Sequence, residues 1–370
     1  MIMKINLLDY TQESLTRLFE ELGEKKFRAL QVFRWMHIYG KCHFDEMTDI
    51  AKSLRSKLNE IAEIKTPSLV SENKASDGVI KWALEVGDGN KIETVFIPDG
   101  ERGTLCISSQ VGCALECQFC STGRQGFNRN LTVGEIIGQL WWANWRLGRY
   151  DSGISSEKLI TNVVMMGMGE PLSNYENVVK AMKIMLDDNA YNLSRRKLTL
   201  STSGVIPALN RLKDDCPVSL AVSLHASNDE IRNKIIPLNK KYPINNLLSA
   251  CKSYLEFSPK DYVTFEYVML KDINDSLIHA NELVGLIKGF KCKFNLIPFN
   301  PFPNSGFESS DRKKILQFQK ILQNAGFITT IRKTRGEDID AACGQLVGKV
   351  KDKTKRQEKW SKLIPITEIH

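Results

Sequence analysis

The 370-residue chain has no apolar run of 18 residues, which leaves no candidate for a transmembrane helix. Its start, Met1 to Tyr10, mixes Lys4, Asn6 and Asp9 with apolar residues and lacks the core of a signal peptide, so a cytoplasmic protein is expected. There is no internal repeat and no low-complexity segment. Nine cysteines in a chain of this length do not describe a secreted disulfide framework, so most are expected as thiols. The one dense cysteine cluster has no second CxxC and no nearby His pair, which weighs against four-ligand zinc.

The chain does have 42% hydrophobic residues, ample for the core of one large α/β domain with additions. Lys and Arg number 51 against 43 Asp and Glu, a net +8. Residues 331–362 hold ten basic and five acidic side chains. Alone that stretch reads as a solvated tail. Beside an N-terminus bearing Lys25, Lys26, Arg28, Arg34, Lys41, Trp35, His37 and Tyr39, nucleic acid is the better reading.

Four regions follow. Residues 1–64 read as a helical, RNA-binding module, with Leu15, Leu18, Phe19 and Leu22 at helical spacing and Gly23 marking a turn. Residues 65–102 read as a β-hairpin, turned at Gly87-Asp88-Gly89-Asn90. Residues 103–335 alternate strands and helices, the pattern of a parallel sheet. Its expected strands are 104–108, 160–165, 197–202, 218–223, 262–269 and 293–298, too few for a closed eight-stranded barrel. Residues 336–370 form a C-terminal segment with Cys343 in a Gly-flanked loop and a basic tail.

The chemistry clusters at the carboxyl ends of those strands, where ligands gather in such sheets. Cys113, Cys117 and Cys120 form a C-x3-C-x2-C set, which suits a 4Fe-4S cluster with one iron left without a cysteine. That open iron is what the amino and carboxylate groups of S-adenosyl-L-methionine (SAM) need. Phe119 inside the set could flank such a cofactor or simply pack. Gly167-Met168-Gly169-Glu170-Pro171 follows the second strand, where glycines let the backbone approach a ligand. Ser201 and Ser223 end the third and fourth strands and could bond SAM or cap the next helix. His225 could be a base or a ligand-orienting group, and Asn300 follows the sixth strand. Cys42, Cys216, Cys251 and Cys292 read as small buried hydrophobes, whereas Cys343 has the setting of a reactive thiol.

The stretch from Cys106 through Leu131 resembles the RlmN family, as do Met166–Pro171, Ser223–Ala226, Lys333–Gly336 and Ala342–Gly344. The likeness spans essentially the whole chain. It implies a partial (β/α)6 radical SAM barrel, an α/β fold with the helical module and the hairpin as extensions. It also implies a methyltransferase that acts on C2 of an adenine in 23S rRNA, at the peptidyl-transferase centre, and of the adenine 3′ of the anticodon in tRNA. In the implied mechanism two SAM are consumed. Cys343 first takes a methyl group, and a radical made from the second SAM abstracts hydrogen from it. The carbon then adds to C2, Glu93 accepts the C2 proton, and Cys106 attacks Cys343 to form a transient disulfide. Without the resemblance Glu93 reads as an outward-facing surface carboxylate. SAM contacts are implied at Gly169, Glu170, Ser201, Ser223, Leu224, His225 and Asn300. An electron donor such as a flavodoxin system is implied, no membrane partner, and nothing demands more than a monomer. The Cfr-type enzymes, which methylate adenine C8 with the same cysteines, are the nearest alternative; the longer N-terminal module and Asn128–Leu131 favour RlmN. A non-catalytic RNA-binding protein with an iron–sulfur cluster is the alternative of another class.

Overall fold

A computed structural model describes residues 4–151, 159–346, 348 and 350–356. At the N-terminus β1 (Ile5–Asn6) leads into α1 (Gln12–Glu21), α2 (Lys26–His37) and α3 (Lys52–Ile61), and β2 (Ala62–Glu63) returns parallel to β1. Thr11 caps α1 by accepting from Ser14 N. Each helix turns one apolar stripe inward: Leu15 and Phe19 from α1, Val32, Phe33 and Met36 from α2, Leu54 and Leu58 from α3. Gly23 ends α1 at φ +76°, the turn expected from its sequence. His37 does not decorate the surface: it is fully buried, with Nδ1 3.2 Å from the Tyr191 hydroxyl of the main domain. Trp141 Nε1 donates to Met36 O at 2.9 Å, and Gly134 N to Asp9 Oδ1 at 2.7 Å, so the module is keyed to the main domain by polar contacts too.

The next strands are β3 (Ser68–Lys74), β4 (Ile80–Glu85), β5 (Lys91–Asp99) and β6 (Arg102–Cys106), followed by β7 (Gln110–Gly112), α4 (Ser121–Arg124) and β8 (Phe127–Asn130). Then α5 (Val133–Arg146), β9 (Asn162–Met165), α6 (Tyr175–Leu186), β10 (Leu198–Thr202), α7 (Ile206–Asp215) and β11 (Ser219–Ser223) alternate. The chain continues through α8 (Asp229–Ile235), α9 (Ile244–Leu255), β12 (Val263–Met269), α10 (Leu277–Leu286), β13 (Cys292–Pro298), α11 (Arg312–Asn324) and β14 (Ile328–Ile331). One ten-stranded sheet runs β14-β13-β12-β11-β10-β9-β6-β5-β4-β3. The six expected strands form its parallel centre, β6 to β13, in an open, partial-barrel order.

The sheet exceeds the expectation at both ends. β14 adds a seventh parallel strand beside β13. The hairpin is no separate appendage: β3, β4 and β5 extend the same sheet antiparallel from β6. This alters Glu93, which reads as a surface residue from alternation alone. β5 is an interior strand, and Thr94 on one face donates to Gln139 of α5 at 2.7 Å. Glu93 therefore points to the opposite face, where the C-terminal segment covers it, and it is 6% exposed.

Candidate active site

β6 ends at Cys106, and the chain then makes the small β7–β8 ribbon that encloses the three-cysteine loop. Gln139 fixes the entry to that loop, accepting from Ser108 N at 2.8 Å and donating to Ser108 O at 2.9 Å. The side chains of Cys113, Cys117 and Cys120 line one open cavity, with apolar walls and a few convergent polar groups of the kind found at small-molecule or cofactor sites. Burial pushes the Cys117 thiol up to about 12, and Cys120 and Glu170 add to it. Cys113 is raised well above the usual thiol value by burial and then by Cys117 and Cys120. Cys120 is raised by burial, with the backbone N–H groups of Gly123 and Thr122 opposing. Three buried thiolates this close would repel one another, so without metal the sulfurs stay protonated, and iron bound to them would stabilise the thiolate form. Among the described residues no three His, Cys, Asp or Glu side chains are gathered closely enough for a single metal ion. A four-iron cube spreads its thiolates over separate corners, so this donor set fits the cluster better than it fits zinc.

Around the cavity stand the carboxyl ends of the strands. Gly169 has φ +101°, and a Cβ there would sit 2.5 Å from the Gln110 side chain, so only glycine fits this turn. Glu170 is 3% exposed, with Oε2 accepting from Ser203 N at 2.8 Å and Oε1 from Leu172 N at 3.1 Å. Burial pushes its carboxyl above the ordinary range. Ser201, Ser223, His225 and Asn300 also line the cavity. Val268 N donates to His225 Nδ1 at 2.9 Å, which leaves the ring proton on Nε2. Burial, then Arg232, lowers His225 to about 3, so the ring is neutral near pH 7 with an N–H donor at Nε2. Phe119 meets that ring edge to face at 4.7 Å. The Leu224 side chain is not on the wall; it is fully buried, and its carbonyl accepts from Arg232 Nε at 3.0 Å.

Sequence reasoning missed Arg232, whose guanidinium is fully buried. It also donates to Asn239 Oδ1 at 2.7 Å, Ser203 O at 2.7 Å and Ser223 O at 3.0 Å, tying the ends of β10 and β11 together. Arg332 escapes sequence reasoning as well, because the expected strands end at 298 and the charge reads as part of the basic tail. Arg332 stands at the end of β14 on the cavity wall with Glu266 and Cys343. Its guanidinium is held above its ordinary value first by Cys343, then by Glu266 and Cys106, with burial opposing.

Cys106 and Cys343 are neighbours across this corner. Burial and then Cys343 push the Cys106 thiol up to about 12, with Arg332 opposing. Asn300 Nδ2 donates to Cys343 O at 3.1 Å, joining a cavity-lining residue to the loop that carries the thiol. All nine cysteines are free thiols. In register Cys106 pairs with Val95, so it shares a face with Glu93 and Ile97. Ile97 lines a second cavity with Arg332, Asn300 and Cys343. Glu93 does not line either cavity; it pairs with Lys81 at 3.3 Å, and Lys81 donates to Asp340 O at 3.1 Å beneath the Cys343 loop.

Lys25, Lys26 and Arg34 are exposed on the helical module, and Phe27 is 49% exposed with Arg28 4.7 Å over its ring. Lys353 and Lys355 of the basic tail are exposed, whereas Arg356 is turned inward; the tail beyond it lies outside the described residues. No helix among the described residues is long and apolar enough to cross a membrane.

Residues 5–64 match the ribosomal RNA large subunit methyltransferase N-terminal domain, and residues 107–283 match the radical SAM superfamily. A radical SAM methyltransferase from Sphaerobacter thermophilus is 40% identical in sequence, with a TM-score of 0.86 over 92% of this chain and 99% of that one. The FeFe-hydrogenase maturase HydG from Carboxydothermus hydrogenoformans is 15% identical, with a TM-score of 0.44 over 64% of this chain and 55% of that one.

Proposed function

Because this chain belongs to the RlmN/Cfr-type radical SAM methyltransferases, we propose that it methylates C2 of an adenine in 23S rRNA and of the adenine 3′ of the anticodon in tRNA. One observation carries the reading beyond a radical SAM fold with a cluster. Of two free cysteines outside the cluster triplet, Cys343 lines the cavity that the triplet opens into, and Cys106, at the end of β6, is near enough for the two to interact electrostatically. A protein that only bound RNA through a structural cluster would have no use for such a pair.

Cys113, Cys117 and Cys120 would hold a 4Fe-4S cluster, which when bound supplies the single electron for reductive cleavage of SAM. Gly169, Glu170, Ser201, Ser223, Leu224, His225 and Asn300 would hold SAM. Cys343 carries the one-carbon unit on its sulfur, with Arg332 beside it on the cavity wall. Glu93 takes the C2 proton, and Cys106 attacks the Cys343 sulfur to free the product, leaving a disulfide that is later reduced. The exposed bases and Phe27 of the helical module, with Lys353 and Lys355, supply phosphate and stacking contacts. The target base leaves its stack to reach the site. A monomer acting in the cytoplasm with a flavodoxin-type donor completes this reading.

The test is mass-spectrometric mapping of methyladenosine isomers in RNA treated with the reconstituted, reduced enzyme. 2-Methyladenosine is expected. 8-Methyladenosine alone would assign the Cfr-type reaction instead, and no 5′-deoxyadenosine under competent reduction would reduce the protein to an RNA binder.

A further inference from the structure

The basic tail reads from sequence as an RNA contact throughout, but its last described residue is built into the protein. Arg356 Nη1 lies 2.9 Å from Cys113 O, 3.0 Å from Leu115 O and 3.1 Å from Gly123 O, and Nη2 lies 2.8 Å from Ala114 O. Its Nε faces Glu116 at 3.9 Å, and the side chain is only 14% exposed. Both terminal nitrogens of this planar fork are engaged by carbonyls at the two ends of the three-cysteine loop, which leaves little of the group exposed to a phosphate.

We propose that Arg356 is a positioning residue for the iron–sulfur cluster, clasping the ligand loop so that its backbone amides face the cysteine sulfurs and placing a fixed positive charge beside them. This rests on the reading that Cys113, Cys117 and Cys120 hold that cluster. The link runs through one peptide unit. The Ala114 carbonyl accepts from Arg356, and the trans geometry of the peptide turns the Leu115 N–H the opposite way, away from the guanidinium. Hydrogen bonds to cluster sulfurs and nearby positive charge favour the more negative, reduced state. The chain leading to Arg356 is laced to the same loop: Ser121 N donates to Gly344 O at 2.8 Å, Thr122 Oγ1 to Leu346 O at 2.7 Å, and Lys353 N to Phe127 O at 3.1 Å.

The test compares anaerobically reconstituted full-length chains: wild type, Arg356→Gln, Arg356→Lys and the double variant Lys353→Gln/Lys355→Gln. Three quantities are read: iron release to a chelator, the cluster's midpoint potential, and RNA affinity against salt. Arg356→Gln should release iron about tenfold faster, in the range for lost outer-shell partners, and its potential should fall. Arg356→Lys keeps the charge without the fork, so iron release should still quicken while the potential stays nearer wild type. Neither should change the salt slope of RNA binding, which the lysine pair should flatten. Wild-type iron release and potential in Arg356→Gln would overturn the proposal, as would a salt slope lowered by about one contact. Should Arg356→Gln fail to fold, wild-type iron release in Arg356→Lys overturns it equally. A wild-type chain that takes up no 4Fe-4S cluster would refute the cluster reading itself.

Discussion

Replacing Arg232 by methionine tests whether the SAM site is held from behind by a buried cation. The guanidinium bonds four uncharged oxygens, the carbonyls of Leu224, Ser203 and Ser223 and the side chain of Asn239. Burial pulls it down to about 10, with Cys117 and Asp229 opposing, so it is still charged at neutral pH. An acceptor left buried without its donor costs about 1–3 kcal/mol. Four of them set an upper bound, because methionine spares the desolvation of a charge and fills apolar volume. A net loss of about 3–4 kcal/mol is expected. Urea unfolding should show a lower midpoint with an unchanged slope. SAM affinity, read by equilibrium dialysis on reconstituted protein, should weaken at least about tenfold, since the orphaned carbonyls end the two strands that carry Ser201 and Ser223. A stability loss below about 1 kcal/mol together with wild-type SAM affinity would refute the reasoning. Arg232→Lys should fall between, since one ammonium cannot span four acceptors.

Cys106→Ala should leave the one-carbon bridge between Cys343 and RNA unbroken, giving a covalent adduct on a denaturing gel; free methylated RNA at wild-type yield would exclude resolution by Cys106. Glu93→Gln should cut RNA turnover by about 10²–10⁴-fold while mass spectrometry still finds methyl on Cys343; unaffected turnover would remove Glu93 from proton transfer. Gly169→Ala should abolish SAM binding yet retain iron uptake, because its Cβ would displace Gln110, whose Oε1 accepts from Ala114 N and Glu170 N. His37 is fully buried and lowered by burial to about 3, so between about pH 3 and 6.5 the unfolded chain binds the extra proton and stability falls as pH falls through that window. His37→Gln should flatten that slope by about 1.4 kcal/mol per pH unit, and an unchanged profile would show that His37 is accessible to protons in the folded state.

The parallel core was legible because strand–helix alternation is a local signal: each of the six expected strands recurs with its ends within about two residues. β14 was not. Its residues Ile328–Ile331 are half exposed at the sheet edge, and the following Arg332 reads as surface charge until the strand is paired. Glu93 failed for the same reason in reverse. Alternation says which side of a strand a residue occupies, but which side is covered depends on what returns over it, and here the cover comes from residues some 250 positions later. Of the expected SAM contacts, the glycine turn, the strand-end serines, His225 and Asn300 are brought to one cavity. Leu224 lies behind the wall, where its backbone rather than its side chain can matter.

The carrier thiol poses a problem that strands alone do not solve. The proposed chemistry needs Cys343 to be reached first from the cavity side and later by Cys106, yet a loop free to wander would lose both encounters. The chain restrains this loop almost entirely through its backbone. Asn300 holds the Cys343 carbonyl, Ser121 N holds the Gly344 carbonyl, and Gln345 Oε1 accepts from Ala342 N at 3.3 Å. Gly344, at φ +86°, lets the segment turn down onto the cysteine loop. With the main chain pinned on both sides, rotation about the Cα–Cβ bond is the coordinate left to the sulfur. The same lacing continues to Arg356. A perturbation at Arg356 should therefore reach the proposed carrier thiol and the cluster loop together, which is why RNA affinity, iron retention and potential have to be read on the same variants.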